Sequence, residues 1–168
     1  MSKARILGID PGTGICGFGV IELNYSESQG FSDQPRMFDS GVIATPPHTP
    51  LPDRLKDIYD SLHQIIEQDQ PHVASVEKLF FTKNITTGIS VAEARGVVIL
   101  VLKQHNIPIF EYTPNEIKKA LTGYGSADKK QMQEMVKLHL KLAQTPKPDD
   151  AADALAAAIT HSLLSKVL

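Results

Sequence analysis

Residues 5–23 read RILGIDPGTGICGFGVIEL, two apolar runs separated by a Pro-Gly-Thr-Gly turn. The first run ends in Asp10, and the turn that follows has the residue types that reverse a chain most readily. The second run, residues 16–23, again combines apolar residues with glycines. Two such runs joined by a short glycine-containing turn predict an antiparallel hairpin. We therefore expect the chain to begin with two paired strands and to carry a carboxylate where the first strand ends.

A third strand and a long helix are predicted after this hairpin. Residues 36–44 (RMFDSGVIA) have the composition of a strand, and the polar stretch 24–35 before them suits a wide loop. From Leu51 to Ile66, apolar residues recur at spacings of three and four, which is the signature of a helix with one buried face. Pro71 is expected to end that helix.

The second half of the chain alternates strands with helices. Residues 72–77 (HVASVE) predict a short strand that ends in Glu77, and residues 88–104 predict a helix that is apolar on nearly all sides. Such a helix is either deeply buried or packed against a second subunit, and charged substitutions at Val98 and Val101 are expected to separate two subunits. The remaining predicted elements are a strand at 107–111, a helix that starts at a Thr113/Glu116 capping box and ends near Gly123, a helix from Ser126 or Asp128, and a helix from Asp149 onward.

The element order and the chain length favour one α/β domain. Three strands with short connections, followed by strand–helix alternation, are typical of a mixed sheet covered by helices. The 168 residues and the 42% hydrophobic content suit one compact domain that spans residues 1–168.

Composition limits the classes of function. Cys16 is the only cysteine, so the chain can form neither an internal disulfide nor a thiolate-rich metal site, and we expect Cys16 to be a small buried residue. The chain shows no secretory signal, and its longest purely apolar run, residues 97–102, is too short to span a membrane. We therefore expect a soluble, cytoplasmic protein that makes no membrane contact.

The net charge of −2 hides an uneven distribution of charge. Residues 103–147 contain eight lysines and four acids, which gives this segment a charge of about +4. A local basic surface attracts nucleic acid, because contacts with phosphates dominate the affinity of proteins for DNA.

Four acids lie at the ends of predicted elements. Asp10 and Glu77 end two apolar strands, while Asp150 and Asp153 lie three residues apart at the start of an alanine-rich helix and face the same side. Each has an ordinary alternative: Asp10 could cap its own turn, Glu77 could lie beyond the sheet edge, and the other two could oppose the helix macrodipole. Asp149 is predicted to be the N-cap of that helix. As a set, the four acids are hard oxygen ligands that suit Mg²⁺ or Mn²⁺, and two such ions roughly 4 Å apart can promote phosphodiester hydrolysis.

Five segments carry a resemblance to a known family: LGIDPGTGICGFGVIE, VEKLFF followed by TKN, EARGV, GYGSADKKQ and DDAADALAAAITH. In this order and spacing, the chain resembles the RuvC family of Holliday junction resolvases from about residue 5 to residue 164. The resemblance implies an RNase H-like fold with a five-stranded mixed sheet flanked by helices. It also implies that Asp10, Glu77, Asp150 and Asp153 are catalytic acids that bind two Mg²⁺ ions per subunit, with Mn²⁺ able to substitute.

The same resemblance implies the DNA-contacting residues. Lys118 and Lys129 match basic residues that neutralise phosphate charge beside the scissile bond. Phe80 matches an aromatic residue after the second acid and is expected to stack on an unpaired base, a contact worth about 1–3 kcal/mol, whereas Phe81 is expected to pack. The other DNA-contacting residues that we expect are Lys83 and Lys130. A solvated helix face is the ordinary alternative for the two adjacent lysines at 129 and 130.

The activity implied is that of a homodimer that cuts two opposed strands of a four-way DNA junction and leaves 5′-phosphate and 3′-hydroxyl ends. Paired cuts need two active sites related by a two-fold axis, so the reaction requires a dimer. The family works with the RuvA and RuvB branch-migration proteins, which are therefore the implied partners. His161, about two helical turns beyond Asp153, is expected to pack or to support the site rather than to react.

Three other functions are compatible with parts of the pattern. GIDPGTG resembles the phosphate-binding hairpin of actin-like and sugar kinases, but those enzymes clasp the nucleotide between two such domains. A non-enzymatic junction-binding scaffold of the same fold would normally have lost one or more of the acids. An RNase H-like nuclease that acts on another branched or hybrid nucleic acid stays open as the alternative.

Overall fold

The computed structural model describes residues 2–79 and 85–165. The strands in this part of the chain are β1 (Ser2–Asp10), β2 (Ile15–Ser26), β3 (Gly30–Ala44), β4 (Val73–Glu77) and β5 (Ile109–Tyr112). The helices are α1 (Leu51–Asp69), α2 (Ile85–Gln104), α3 (Pro114–Thr122), α4 (Lys129–His139) and α5 (Asp149–Leu164).

The strands form one mixed sheet in the order β3-β2-β1-β4-β5. β2 pairs antiparallel with β1 and with β3, because short turns join these strands. β4 lies parallel to β1 and to β5, because α1 and α2 carry the chain back along the sheet before the next strand begins. The predicted five-stranded mixed sheet flanked by helices is therefore confirmed.

The wide loop predicted at residues 24–35 is wrong. β2 continues to Ser26 and β3 begins at Gly30, so the two strands stay paired almost to the turn. Tyr25 is opposite Phe31 with the ring centroids 5.3 Å apart, and Gly30 turns the chain with a φ of 75°. Most other side chains of this extension are half-buried or exposed, so no apolar alternation marks it as a strand in the sequence.

Two apolar layers cover the two faces of the sheet. Ile6 and Val73 belong to the layer that α3, α4 and α5 complete, whereas Leu7 and Ala74 belong to the layer that α1 and α2 complete. Successive strand residues point to opposite faces, so the position of a residue along its strand decides which layer it joins. Cys16 is buried in the second layer, as predicted. None of the helices in the described part of the chain has the length and apolar content that crossing a bilayer requires.

The buried face of α2 contains the two residues that were predicted to lie at a subunit interface. Val98 and Val101 are fully buried in the layer that α2 shares with α1 and the sheet, so charges there would disrupt the core of the same chain. The prediction that these two residues face a second subunit is therefore wrong. Among the α2 side chains that the structure describes, the large apolar ones that are exposed are Ile89 and Leu100, with exposed fractions of 53% and 52%.

α5 lies close to the sheet because both surfaces are built from small residues. A Cβ atom at Gly8 in β1 would lie 1.9 Å from the carbonyl oxygen of Ala154, and one at Gly17 in β2 would lie 2.1 Å from that of Asp150. The buried face of α5 consists largely of alanine. A side chain at either glycine would therefore push the helix off the strands.

We expect Gly8→Ala to lower the free energy of unfolding by about 2–4 kcal/mol, because the added methyl group meets backbone atoms that cannot move independently. Gly14→Ala is the matched control, since no atom lies within 4 Å of a Cβ at that position. The control should change stability by less than about 0.5 kcal/mol. Urea unfolding followed by circular dichroism measures both variants, and equal stabilities would contradict the close packing of α5.

Candidate active site

β1 and β4 end side by side, and each ends in an acid. The strands are parallel and in register, with Ile9 opposite Val76, so the residues that follow, Asp10 and Glu77, are neighbours. The residue two positions earlier in each strand faces α5. Because strand side chains alternate between faces, both carboxylates point toward the same helix.

α5 begins beside these strand ends. Gly17 pairs with Asp10 across the β1–β2 hairpin and lies against the main chain of Asp150. The charge of Asp153, one helical turn later, raises the pKa of both Asp10 and Glu77. The structure thus brings the four predicted acids together at one place, where two strand ends meet a helix start.

The crowding of these carboxylates changes their protonation. Burial, followed by the charges of Glu77, Asp153 and Asp150, raises the pKa of Asp10 to about 8. Burial also raises the pKa of Glu77 and that of Asp153, in each case against the opposing effect of a nearby lysine. The raised pKa of Asp10 favours its protonated form, which donates a hydrogen bond to Glu77.

The four carboxylates suit a divalent cation, although their side chains are not arranged around one. Among the residues that the structure describes, no group of three or more His, Cys, Asp or Glu side chains is positioned to hold a metal ion. The Asp10–Glu77 hydrogen bond and the contact of Asp153 with Lys129 occupy oxygens that a cation would use. Converging carboxylates are nevertheless the hard oxygen donors that Mg²⁺ and Mn²⁺ prefer, and a cation would relieve their mutual repulsion. The residues therefore fit a divalent cation once these two contacts are broken.

Two of the predicted lysines line the same cleft. A hollow of about 240 Å³ is bordered by Glu77 and Asp153 on the acidic side and by Lys118 and Lys129 on the basic side. Lys118 lies in α3 and Lys129 is the first residue of α4, and each helix starts at a reciprocal capping box. The box predicted for α3 is confirmed. Because such caps define where a helix begins, they hold the two lysines at defined positions over the acids.

Asp149 pairs with lysines instead of capping α5. The predicted N-cap role is wrong, since Pro148 occupies the cap position and Asp149 is the first helical residue. Asp149 Oδ1 accepts a hydrogen bond from Lys147 at 2.9 Å, and its Oδ2 lies 3.3 Å from Lys129 Nζ. These contacts lower the pKa of Asp149 to about 2. The pairing with Lys129 joins residues that are distant in sequence, so no local motif could have indicated it.

The other predicted DNA-binding residues lie away from this cleft or outside the described residues. Phe80 and Lys83, together with Phe81, fall in the segment that the structure does not describe. Lys130 lines a separate hollow of about 320 Å³, where the exposed side chain of Tyr124 also lies. Sequence reasoning did not single out Tyr124, although it lies in the segment GYGSADKKQ that carries part of the family resemblance.

His161 is a buried packing residue. It is fully buried, and its Nδ1 forms a hydrogen bond of 2.9 Å with the hydroxyl of Tyr112. Its ring packs against those of Phe31 and Phe110. It therefore packs in the apolar layer between α5 and the sheet, in agreement with the expected packing role.

Comparison with known proteins points to one family. The family model of crossover junction endodeoxyribonuclease RuvC matches residues 6–161. The RuvC of Chloroflexus aggregans is 50% identical over 164 residues, which cover 98% of this chain and 96% of that protein. The RuvC of Thermotoga maritima is 50% identical over 166 residues, 99% of this chain and 95% of that protein. The structure of Thermus thermophilus RuvC in complex with Holliday junction substrate is similar at a TM-score of 0.85 and 30% identity, covering 95% of this chain and 93% of that chain.

We expect Asp10→Asn to stabilise the metal-free protein at alkaline pH. The folded state raises the pKa of Asp10 from 3.8 to about 8. The contribution of this group to stability is therefore fully present below pH 3.8 and is lost as the pH rises through about 8. Asparagine does not ionise, so the variant should gain about 1–3 kcal/mol in the free energy of unfolding at about pH 9 and less at about pH 6.

Chemical unfolding in the presence of a chelator at these two pH values measures the gain. The control is Asp57→Asn, which removes an exposed acid of α1. A gain that is absent at the higher pH, or equal at both pH values, would show that Asp10 is not crowded by the other carboxylates.

Proposed function

The chain belongs to the RuvC family of crossover junction endodeoxyribonucleases, and on that premise we propose that it resolves Holliday junctions by paired phosphodiester hydrolysis in homologous recombination and DNA repair. Residues 1–168 act as one RNase H-like nuclease domain. One structural neighbour is the Thermus thermophilus protein in complex with Holliday junction substrate, and its similarity over nearly the whole chain supports the same substrate here.

The observation that carries the proposal is the convergence of four carboxylates, two of which, Glu77 and Asp153, line one cleft together with Lys118 and Lys129. A non-enzymatic scaffold would have no use for a complete acid set. The alternative that we retain is an RNase H-like nuclease for another branched or hybrid nucleic acid, because the same acids would serve any phosphodiester.

We propose that Asp10, Glu77, Asp150 and Asp153 hold two Mg²⁺ ions per subunit, with Mn²⁺ able to replace them. When bound, such ions lower the pKa of a water molecule and neutralise charge on the leaving oxygen. The contribution of the chain is to present the oxygens. For this, Asp10 gives up the proton that it shares with Glu77, and Asp153 separates from Lys129.

The proposed cleavage breaks the bond between phosphorus and the 3′ oxygen, because the products are a 5′-phosphate and a 3′-hydroxyl. Water supplies the new oxygen on phosphorus, and the 3′ oxygen takes up a proton. Lys118 and Lys129 neutralise the negative charge of the phosphate as it is attacked. Phe80 stacks on a base at the crossover, while Lys83 and Lys130 bind flanking phosphates.

We propose that the exposed face of α2 forms the two-fold interface of a homodimer. Ile89, Glu93, Gly96 and Leu100 are exposed and recur at helical spacing, so they share one face. Glycine in the middle of this face allows two helices to approach closely. A symmetric contact of this kind would relate two active sites by the rotation that paired cuts require. We also propose RuvA and RuvB as partners, on the family relationship alone.

We expect the protein with Mg²⁺ to cut two opposed strands of a four-way junction and to leave linear duplex DNA and an RNA–DNA hybrid intact. Asp10→Asn should bind the junction with unchanged affinity and cut it at least about 100-fold more slowly, because it loses a metal ligand without a change of shape. Cleavage of junctions labelled on each strand measures the positions and the rate of the cuts, and gel retardation of the same junctions measures the affinity. Preferred cleavage of the hybrid would favour the retained alternative, and full activity of Asp10→Asn would refute the site.

We expect Leu100→Glu to produce monomers, because a charge in the middle of the α2 face would be buried without a partner. Leu138→Glu is the matched control, since Leu138 in α4 is 67% exposed and lies outside this face. Analytical ultracentrifugation measures the mass. A cruciform plasmid reports the consequence, because paired cuts linearise it and single cuts only nick it. A Leu100→Glu variant that stays dimeric would place the interface elsewhere.

A further inference from the structure

A row of alternating charges borders the cleft beside α5. Lys147 Nζ lies 2.9 Å from Asp149 Oδ1, and the other oxygen of Asp149 lies 3.3 Å from Lys129 Nζ. The same Lys129 nitrogen lies 3.8 Å from Asp153 Oδ2. The row joins the first residue of α4 to the first turns of α5, and only Asp153 belongs to the proposed metal ligands.

Lys129 is shared between two carboxylates. Its ammonium group is closer to Asp149 than to Asp153, and its side chain is 58% exposed, so it has room to move between them. Partial burial disfavours its charged form, but the carboxylates of Asp153 and Asp149 outweigh this and raise the pKa of Lys129. It therefore stays positively charged. An ammonium group on Asp153 competes with a divalent cation for the same oxygens.

We propose that Asp149 is a positioning residue that draws Lys129 away from Asp153 and thereby keeps Asp153 available to a divalent cation. This inference rests on the proposed function, in which Asp153 is a metal ligand. In this proposal Asp149 lies outside the ligand set and acts through its two oxygens, each of which faces a lysine. Lys147 has the opposite effect, since it competes with Lys129 for Asp149.

The arrangement also keeps Lys129 ready for the substrate. Held by Asp149, the ammonium group stays at the border of the cleft that Lys118 and Glu77 also line. A DNA phosphate that enters this cleft offers Lys129 a new anionic partner. Asp149 therefore keeps the lysine at the border of the cleft, where an entering phosphate can replace its carboxylate partners.

Binding of Mn²⁺ to the DNA-free protein tests the proposal, because electron paramagnetic resonance counts the free ion without any cleavage reaction. Asp149→Asn should raise the Kd for Mn²⁺ about two- to fivefold, since Lys129 then settles on Asp153. Asp149→Glu, which keeps the charge, should restore most of the affinity. Lys147→Met should lower the Kd, because Asp149 then holds Lys129 more firmly. The remote Asp57→Asn should leave the Kd unchanged.

A general charge effect predicts changes of the Kd for Mn²⁺ in the same directions, because losing an acid weakens cation binding and losing a lysine strengthens it. Repeating both substitutions in a Lys129→Met background separates the two explanations. If Asp149 acts through Lys129, neither Asp149→Asn nor Lys147→Met should change the Kd by more than about 1.5-fold in that background. Effects as large as those in the wild-type background would overturn the proposal.

Failure of the proposed metal site has a different signature. If Asp10→Asn leaves Mn²⁺ binding unchanged, the acid cluster is not the metal site, and both the proposed function and this inference are overturned. If binding depends on Asp10 but Asp149→Asn does not alter the Kd, only the positioning role of Asp149 is overturned.

Discussion

The candidate site depends on how closely α5 lies on the sheet. Gly8 and Gly17 have no side chain at the points where the main chain of α5 passes, and alanine fills most of the facing side of the helix. Asp150 and Asp153 are carried in the first turns of that helix, so any residue that moved α5 outward would also move both carboxylates away from the strand ends. A packing property, the distance from helix to sheet, therefore sets the distances between charges.

This close packing destabilises the charges that it brings together. Carboxylates at a half-buried site lose hydration and repel one another, which raises the pKa of Asp10 to about 8 and also raises the pKa of Glu77 and that of Asp153. Strongly perturbed pKa values of this kind cluster at functional sites. A divalent cation could take over the role of the shared proton and of the lysine as counter-charge, so cation binding would also stabilise the fold.

Local patterns indicated the positions of the four acids, the family resemblance assigned them to a metal site, and neither indicated what surrounds them. The positions of Asp10 and Glu77 followed from two predicted apolar strands that each end in an acid. The shared face of Asp150 and Asp153 followed from their helical spacing. The polar end of the β2–β3 hairpin escaped prediction because it lacks apolar alternation. Two further errors concern tertiary contacts that no local pattern carries: the burial of Val98 and Val101 in their own core, and the pairing of Asp149 with Lys129 rather than with the free N–H groups of α5.

Lys129 is placed against the preference of its own helix. It is the first residue of α4, directly after the N-cap Asp128, and a positive side chain at a helix N-terminus opposes the macrodipole. Carboxylates of α5, those of Asp149 and Asp153, offset this repulsion. An acid cluster alone would repel the phosphate that it is proposed to cut. A positive helix end across the cleft supplies attraction on the substrate side. Because Lys129 is shared between Asp149 and Asp153 and its side chain stays 58% exposed, it can exchange these carboxylates for a phosphate.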